Sequence, residues 1–137
     1  MSEILTTRRE LLIASLAALA EAATDTVASE IGQYRGPDAR LITTWVRVPP
    51  GTDGGITIPG SIAGLAAGLV IAAVATVGGM LPRAQIWIPV AAGFAGMLID
   101  SILGATLQRR RWINNEAVNF FATLAAAALA YTVSTLS

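Results

Sequence analysis

Long apolar segments dominate the pattern of this chain. Three of them can be drawn, over residues 58–81, 86–107 and 117–136. The first and third contain no charged residue, and the second contains only Asp100. Each reaches the roughly 20 residues that a helix needs to cross a bilayer. An earlier segment over 11–23 is apolar except for Glu21, and its helix could continue to residue 28. The pattern therefore predicts four membrane-spanning helices, the first over 11–28.

Two polar loops connect these predicted spans on one side. The longer covers residues 24–57 and the other covers 108–116. With four spans both loops face the same side and together hold six Arg, against three on the opposite side. Because Arg and Lys are enriched in cytoplasmic loops, both loops are predicted to be cytoplasmic. The expected fold is an all-α, polytopic integral membrane protein of the cell membrane, with residues 1–137 as a single membrane domain.

Composition supports a membrane protein over a soluble one. Hydrophobic residues make up 54% of the chain and charged residues only 13%, whereas roughly a quarter of a soluble protein is charged. A soluble helical core of this apolarity would lack the polar surface to cover it. Small residues recur at every fourth position, and such faces let membrane helices approach closely. They comprise Gly60, Gly64 and Gly68, and Ala14, Ala18 and Ala22.

The available chemistry is narrow. The chain has no Cys or His, and all nine basic residues are Arg. Thiolate nucleophiles, imidazole catalysis, the usual zinc sites and Lys-dependent phosphate loops are therefore excluded. The remaining carboxylates, amides and hydroxyls suit hard cations such as Mg²⁺ and the phosphates they accompany. A net charge of zero gives no reason to expect a nucleic acid partner.

Asp100 is the polar residue that most requires an explanation. A charge in the middle of a membrane helix costs roughly 2.5–3.5 kcal/mol. On a helix, Asp100, Gly104 and Gln108 share one face and Ser101 lies beside them. This stripe is predicted to form one wall of a polar cavity. The alternative is a buried Asp paired with an Arg for structural reasons.

A second cluster covers residues 24–32. Asp25 and Ser29 share a helical face with Glu21, whereas Glu30 lies about 140° around a regular helix from Asp25. Asp25 and Glu30 could therefore hold one ion only through a bend or a water molecule. Carboxylates with interleaved hydroxyls at the end of an apolar helix suggest metal binding. In the alternative, Asp25 and Glu30 merely solvate the helix end.

Two further groups carry candidate chemistry. The run over residues 48–55 contains Thr52, Asp53, Gly54 and Gly55, and a glycine-rich turn can cradle phosphate with backbone N–H groups, although ordinary surface turns look similar. Asn114 is expected to cap the last helix. Asn115 and Asn119 lie one helical turn apart at the start of that span, where an amide can bind a nucleotide or a metal.

These runs resemble an integral membrane family, that of transmembrane protein 19 and phytyl phosphate kinase. The resemblance covers about residues 22–121, with the motifs in the family's order. It rests on residues 23–32, 41–44, 48–55, 93–96, 100–108, 114–115 and 118–120. The family motif positions present here are Asp25, Ser29, Glu30, Thr52, Asp53, Asp100, Ser101, Gln108, Asn115 and Asn119.

The resemblance implies a membrane enzyme that phosphorylates an isoprenoid (phytyl-like) monophosphate to its diphosphate, with CTP or another nucleoside triphosphate as donor. Family members commonly carry further membrane helices before the first motif, where this chain has about twenty residues. Those helices are expected to be dispensable, to come from a partner chain, or to be replaced by a second copy in a homo-oligomer.

The resulting hypothesis is a Mg²⁺-dependent lipid phosphate kinase. Four carboxylates are the predicted catalytic and metal-binding residues: Asp25, Glu30, Asp53 and Asp100. Thr52, Gly54 and Gly55 are predicted to hold phosphates, with positive charge supplied by Arg40, Arg47 or Arg109. Ser29, Ser101, Gln108, Asn115 and Asn119 complete the predicted substrate and nucleotide site.

Three alternatives remain open from the residues. A cytidylyltransferase that forms a CDP-lipid would use the same ions and nucleotide and differ in its product. A small transporter would use Asp100 as a coupling site. A non-catalytic membrane subunit would bind no nucleotide.

Overall fold

The computed structural model describes residues 2–35 and 38–137. It contains four helices long and apolar enough to cross a membrane, which confirms the predicted all-α membrane fold. They are α1 (Ser2–Arg35), α2 (Ile58–Val77), α3 (Trp87–Leu103) and α4 (Asn115–Thr135). A short 3₁₀ turn, Arg83–Gln85, precedes α3, and a π-helical turn, Gly104–Gln108, follows it.

The first helix is longer than the sequence pattern predicted. It runs without interruption to Arg35, so residues 24–35 belong to a helix and the predicted loop over 24–57 was wrong in its first third. The polar cluster at 24–32 looked like a helix end, but nothing in it breaks a helix. The first proline in the sequence, Pro37, comes only after this cluster.

Side-chain caps define the starts of α2 and α4. The hydroxyl of Thr57 accepts a 3.0 Å hydrogen bond from the Gly60 N–H, and Pro59 occupies the first turn of α2, where a missing N–H has no cost. The side-chain oxygen of Asn114 accepts a 2.9 Å hydrogen bond from the Ala117 N–H. The predicted capping role of Asn114 is thereby confirmed.

Glycines bring α1 and α2 into backbone contact. A Cβ atom added at Gly64 would lie 2.6 Å from the Thr24 carbonyl oxygen, and one at Gly68 would lie 2.7 Å from the Thr24 hydroxyl. Such distances leave no room for any side chain, so the predicted packing role of these glycines is confirmed.

The predicted alanine face of α1 is not confirmed, because Ala14 is buried but Ala22 is exposed. The buried face of α1 instead contains Ile13, Ala17 and Ala20.

The bundle has an apolar half and a polar half. The apolar core joins the first half of α1 and α3 to the second half of α2 and α4, through residues such as Leu16, Ala72, Ile88 and Ala130. Large apolar side chains on the outside, among them those of Leu69 and Val74, are half exposed or more and would face lipid. The opposite half holds the polar groups and is closed at its end by the α1–α2 connection.

The α1–α2 connection folds back on itself as a small hairpin. Strand β1 (Arg40–Leu41) pairs antiparallel with β2 (Gly55–Ile56), and the Ile42 N–H donates to the Gly54 carbonyl oxygen at 3.0 Å. Gly51 and Gly54 have positive φ angles of 82° and 75°, which glycine adopts without strain. The hairpin thereby directs its glycine-rich tip toward the polar half of the bundle.

Replacing Gly64 with Leu is expected to separate α1 from α2. The added side chain would overlap the Thr24 carbonyl oxygen, so the free energy of unfolding should fall by at least about 2 kcal/mol. Ala66→Leu is the matched control, because Ala66 is exposed on the lipid-facing side of α2. Thermal unfolding in detergent micelles measures both variants, and equal midpoints would contradict this packing.

Candidate functional site

A polar cavity of about 360 Å³ occupies the end of the bundle where α1 and α3 finish and α2 and α4 begin. The tip of the hairpin covers it. The predicted site residues that line it come from α1, the hairpin, α3 with its π-helical turn, and α4. They are Asp25, Ser29, Glu30, Thr52, Asp53, Gly54, Gly55, Asp100, Ser101, Gln108, Asn115 and Asn119.

Helix α1 supplies Asp25, Ser29 and Glu30 to this cavity. Because α1 is helical through all three positions, Asp25 and Glu30 lie about 140° apart around the helix. Glu30 is also exposed, whereas Asp25 is partly buried. Within α1, Asp25 is therefore the better placed of the two carboxylates for a buried ligand, and Glu30 stays at the cavity rim.

The end of α3 contributes a second wall through a change in helix type. After Leu103 the chain widens into the π-helical turn, and the Arg109 N–H donates to the Gly104 carbonyl oxygen at 3.2 Å. π-Helical turns occur often at functional sites because they re-aim side chains. The predicted stripe of Asp100, Gly104 and Gln108 lines the cavity despite this change.

The hairpin tip rests directly on this π-helical turn. A Cβ atom added at Gly104 would lie 2.9 Å from the Gly54 backbone nitrogen, and one added at Gly54 would overlap the backbone of Ala105. Two glycines are thus needed for the loop to approach α3. The contact places Asp53 and Gly55 on either side of Gly54 over the cavity.

The cavity has an excess of negative charge. The Asp100 carboxylate is close enough to those of Asp25 and Asp53 to interact with them electrostatically. Its Oδ2 atom is buried and has no hydrogen-bond partner among the residues that the structure describes. Within residues 2–35 and 38–137, no Arg side chain lines the cavity. Carboxylates that repel one another without a counter-charge favour a bound cation.

The three predicted arginines lie elsewhere. The Arg40 guanidinium donates to the Trp45 carbonyl oxygen at 3.0 Å, and Arg47 forms a 3.0 Å salt bridge with Asp38. Arg109 is exposed beyond the π-helical turn. None of the three lines the cavity. Their predicted role in binding phosphate remains a prediction that this arrangement does not support.

The oxygen-rich lining fits Mg²⁺ when a ligand supplies part of the coordination shell. In the described part of the chain, no three of His, Cys, Asp and Glu lie close enough together to hold an ion. Mg²⁺ commonly takes only one or two carboxylates and completes its octahedral shell with water and substrate phosphates. Asp100 and Asp25 can serve as such a pair. Metal binding by Asp25, Glu30, Asp53 and Asp100 stays a prediction.

Two contributions to the site were not predicted from the sequence. Thr57 and Ser61 at the start of α2 also line the cavity, but they precede or open an apolar span and looked like part of it. Below the cavity, the Thr123 hydroxyl donates a 2.6 Å hydrogen bond to the Glu21 carboxylate. Only the position of Glu21 on the Asp25 face gave any signal for this pair.

Comparison with known proteins identifies the family to which the chain is similar. The profile of the family described as Integral membrane protein DUF92 matches residues 1–127. The chain is 40% identical over 107 residues to an uncharacterized membrane protein of Synechocystis sp., covering 77% of this chain and 42% of the relative. It is also 40% identical over 116 residues to an uncharacterized membrane protein of Methanocaldococcus jannaschii, covering 82% and 47%.

A plant relative connects the chain to the resemblance drawn from its motifs. Protein VTE6, chloroplastic, of Arabidopsis thaliana is 38% identical over 98 residues, covering 69% of this chain and 29% of that protein. The resemblance to the family of transmembrane protein 19 and phytyl phosphate kinase is thereby confirmed. The chain spans less than half the length of these three relatives. No solved structure matches it.

Proposed function

We propose a catalytic function for this chain, which belongs to the integral membrane protein family DUF92. It contains the site of a membrane-embedded, Mg²⁺-dependent kinase that phosphorylates an isoprenoid monophosphate to the diphosphate with a nucleoside triphosphate such as CTP. The observation that carries this proposal is the acidic cavity at the helix ends, where the buried Asp100 Oδ2 atom has no hydrogen-bond partner in the described part of the chain. The identities of the lipid substrate, the nucleotide and the metal ion are all part of this proposal.

The charge of the cavity supports a metal-bound phosphate as its ligand. Phosphates alone would be repelled by Asp25, Asp53 and Asp100. Mg²⁺ held by Asp100 and Asp25 would neutralise this charge and, in phosphoryl transfer, the charge on the phosphate oxygens. Phosphate recognition then falls to neutral groups, namely backbone N–H groups near Gly54 and the hydroxyl of Ser101. The Thr52 hydroxyl already donates to the Pro49 carbonyl oxygen at 2.6 Å.

The reaction requires little covalent chemistry from the protein. An oxygen of the lipid phosphate would attack the γ-phosphorus of the nucleotide, and the bond from that phosphorus to the β-phosphate bridging oxygen would break. The lipid diphosphate forms and the nucleoside diphosphate leaves. Because the acceptor phosphate is already anionic, no strong general base is needed, which suits a chain without His. Catalysis then depends on positioning and electrostatics.

The depth of the cavity suits a lipid phosphate. The lining residues of α1, α3 and α4 belong to the candidate membrane spans, and the cavity is formed at the ends of α2 and α3. A lipid phosphate lies at this depth while its tail remains among the apolar outer side chains. A nucleotide could enter from the water beside the hairpin.

The experiment uses the full chain reconstituted in lipid with Mg²⁺, labelled CTP or ATP, and a panel of prenyl monophosphates. We expect a prenyl diphosphate and a nucleoside diphosphate. A CDP-lipid with pyrophosphate would identify the cytidylyltransferase instead, and substrate flux without nucleotide turnover would identify a transporter. A full-length relative serves as the positive control, because this chain spans less than half of such proteins. No turnover here, with turnover by the relative, would refute the proposal for the chain as given.

The cavity side of the membrane is proposed to be the cytoplasmic side. Because the chain contains no Cys, single cysteines report on this without background. Arg110→Cys should react with an impermeant maleimide only after cells are permeabilised, because it adjoins the cavity. Arg83→Cys, in the α2–α3 connection, should react in intact cells. The reverse labelling pattern would place the cavity outside the cell.

A further inference from the structure

A buried contact joins α1 to α4 directly beneath the cavity. Glu21 is only 2% exposed, and its Oε2 atom accepts the 2.6 Å hydrogen bond from the Thr123 hydroxyl. The two residues are 102 positions apart in the chain. In the apolar interior of a membrane bundle, an unpaired carboxyl or hydroxyl is costly, so each of these groups needs the other.

Helix α3 contacts the same Glu21 side chain. A Cβ atom added at Gly96 of α3 would lie 2.5 Å from the Glu21 Cγ atom and 2.9 Å from the Ala126 Cβ atom. Gly96 therefore lets α3 rest on the Glu21 side chain. Three helices meet in one layer, whose centre is the carboxyl group of Glu21.

This layer lies one helical turn below the site. Asp25 follows Glu21 by four residues on α1, Asp100 follows Gly96 by four on α3, and Asn119 precedes Thr123 by four on α4. Asp25, Asp100 and Asn119 all line the cavity. Four residues of helix correspond to about 6 Å along the axis and return to nearly the same face. A sideways shift of one helix in the layer would therefore move its cavity residue by a similar amount.

We propose that Glu21 and Thr123 are a positioning pair that sets the separation of Asp25, Asp100 and Asn119. The pair acts through the geometry of its hydrogen bond. The negative charge of Glu21 is not required, because an amide oxygen in the same place would accept the same bond. The catalytic consequence rests on the proposed function, but the positioning itself does not.

A purely stabilising role is the competing explanation. Loss of the bond would then lower the unfolding temperature but leave the folded molecules with unchanged helix separations. Positioning instead predicts altered separations in the folded protein. The two explanations therefore differ in a distance measurement, which needs no substrate.

The distance experiment uses the absence of native Cys. Spin labels are attached through Tyr34→Cys on α1 and Glu116→Cys on α4, both exposed near the cavity end. Pulsed electron paramagnetic resonance then compares Thr123→Val with Thr123→Ser, which restores the hydroxyl. Thr132→Val is the matched control, because that exposed hydroxyl donates only to the Ala128 carbonyl oxygen of its own helix. We expect a shifted or broadened distribution for Thr123→Val alone.

Kinetics of the same variants provide the second measurement. Thr123→Val should lower kcat by about tenfold or more through misplacement of reacting groups. Glu21→Gln and Thr123→Ser should remain close to the native protein. Should Thr123→Val fail to fold, Glu21→Asp replaces it, since the shorter side chain withdraws the acceptor from Thr123.

The outcomes separate this inference from the proposed function. An unchanged distance distribution in Thr123→Val overturns the positioning role, as does an equal change in Thr132→Val. A Glu21→Gln variant as impaired as Thr123→Val would show that charge, not geometry, matters. If the native chain shows no kinase activity while the distance changes occur as expected, the proposed function fails and the positioning role stands.

Discussion

Replacing Asp100 with Asn is expected to abolish phosphorylation of the lipid phosphate while it raises the thermal stability of the metal-free protein. Asn has nearly the shape of Asp, so the packing of α3 should persist. The substitution removes the carboxylate that is repelled by Asp25, Asp53 and Glu21, which should stabilise the empty bundle. It also removes the proposed metal ligand, so kcat should fall by at least about a hundredfold.

The opposite signs of these two effects make the test specific. A site that is selected for function often carries repulsion that destabilises the fold, and relieving it raises stability at the expense of activity. Native protein with Mg²⁺ and nucleotide at about 100 times the Kd should gain about 2.7 kcal/mol, and the Asp100→Asn variant should gain little. Unfolding midpoints with and without Mg²⁺–nucleotide provide the measurement.

The control for Asp100→Asn is Asp38→Asn. Asp38 is also acidic, but it is exposed and paired with Arg47 away from the cavity. The Asp38→Asn protein should therefore keep the native activity and the native gain in stability with metal. Retention of native activity by Asp100→Asn would remove the basis for the proposed function. A lower stability of the metal-free variant would show that the Asp100 carboxyl has a partner in the native bundle.

Replacing Gly54 with Ala is expected to detach the hairpin tip from α3 and to eliminate activity. Two costs combine at this position. At a positive φ, a residue with a Cβ atom destabilises the fold by roughly 1–2 kcal/mol. The added atom also overlaps the backbone of Ala105, which cannot move aside as a flexible side chain could. The tip should therefore leave the cavity and take Asp53 and Gly55 with it.

Gly51→Ala separates these two costs. Gly51 also has a positive φ, of 82°, but the three nearest atoms to a Cβ atom there all belong to the flexible Gln33 side chain, the closest at 3.2 Å. The Gly51→Ala variant should be destabilised by the backbone strain alone and should keep most of its activity. Hydrogen exchange of the Gly55 amide, which donates to the Thr52 carbonyl oxygen at 2.8 Å, should accelerate strongly only in Gly54→Ala. Equal exchange and equal activity in both variants would contradict the docking of the tip.

Much of the fold follows from the lengths of the apolar segments. A bilayer requires each spanning helix to satisfy its own backbone, so uncharged runs of about 20 residues leave few alternatives. The end of α1 was not predictable in this way. Its last turns carry Asp25, Ser29 and Glu30, which have the composition of a loop, and they remain helical because α1 packs on Gly60 and Gly64 of the next helix.

The site was predictable where polar residues occur in costly places. Asp100 and Asn119 lie within apolar spans, where a polar group is costly, and for Asp100 this favoured the wall of a polar cavity over a structural pair with an Arg. The arginines were not predictable, because Arg40 and Arg47 use local partners, the Trp45 carbonyl oxygen and Asp38, that no periodicity reveals. The Glu21–Thr123 contact joins residues 102 positions apart, and each residue alone looks like an isolated polar group in a helix.

The location of the cavity at one end of the bundle has a consequence for supply of the lipid. Only the helix ends that include the start of α2 and the finish of α3 form the cavity, and the other half of the bundle is the apolar core. On the proposed function, the enzyme would draw its acceptor from a single leaflet and return the product to that leaflet. Lipid phosphate in the opposite leaflet would have to flip before it could react. A membrane with a fast scramblase would therefore let one such protein consume the whole pool, whereas a membrane without one would leave the lipid phosphate of the opposite leaflet unreacted.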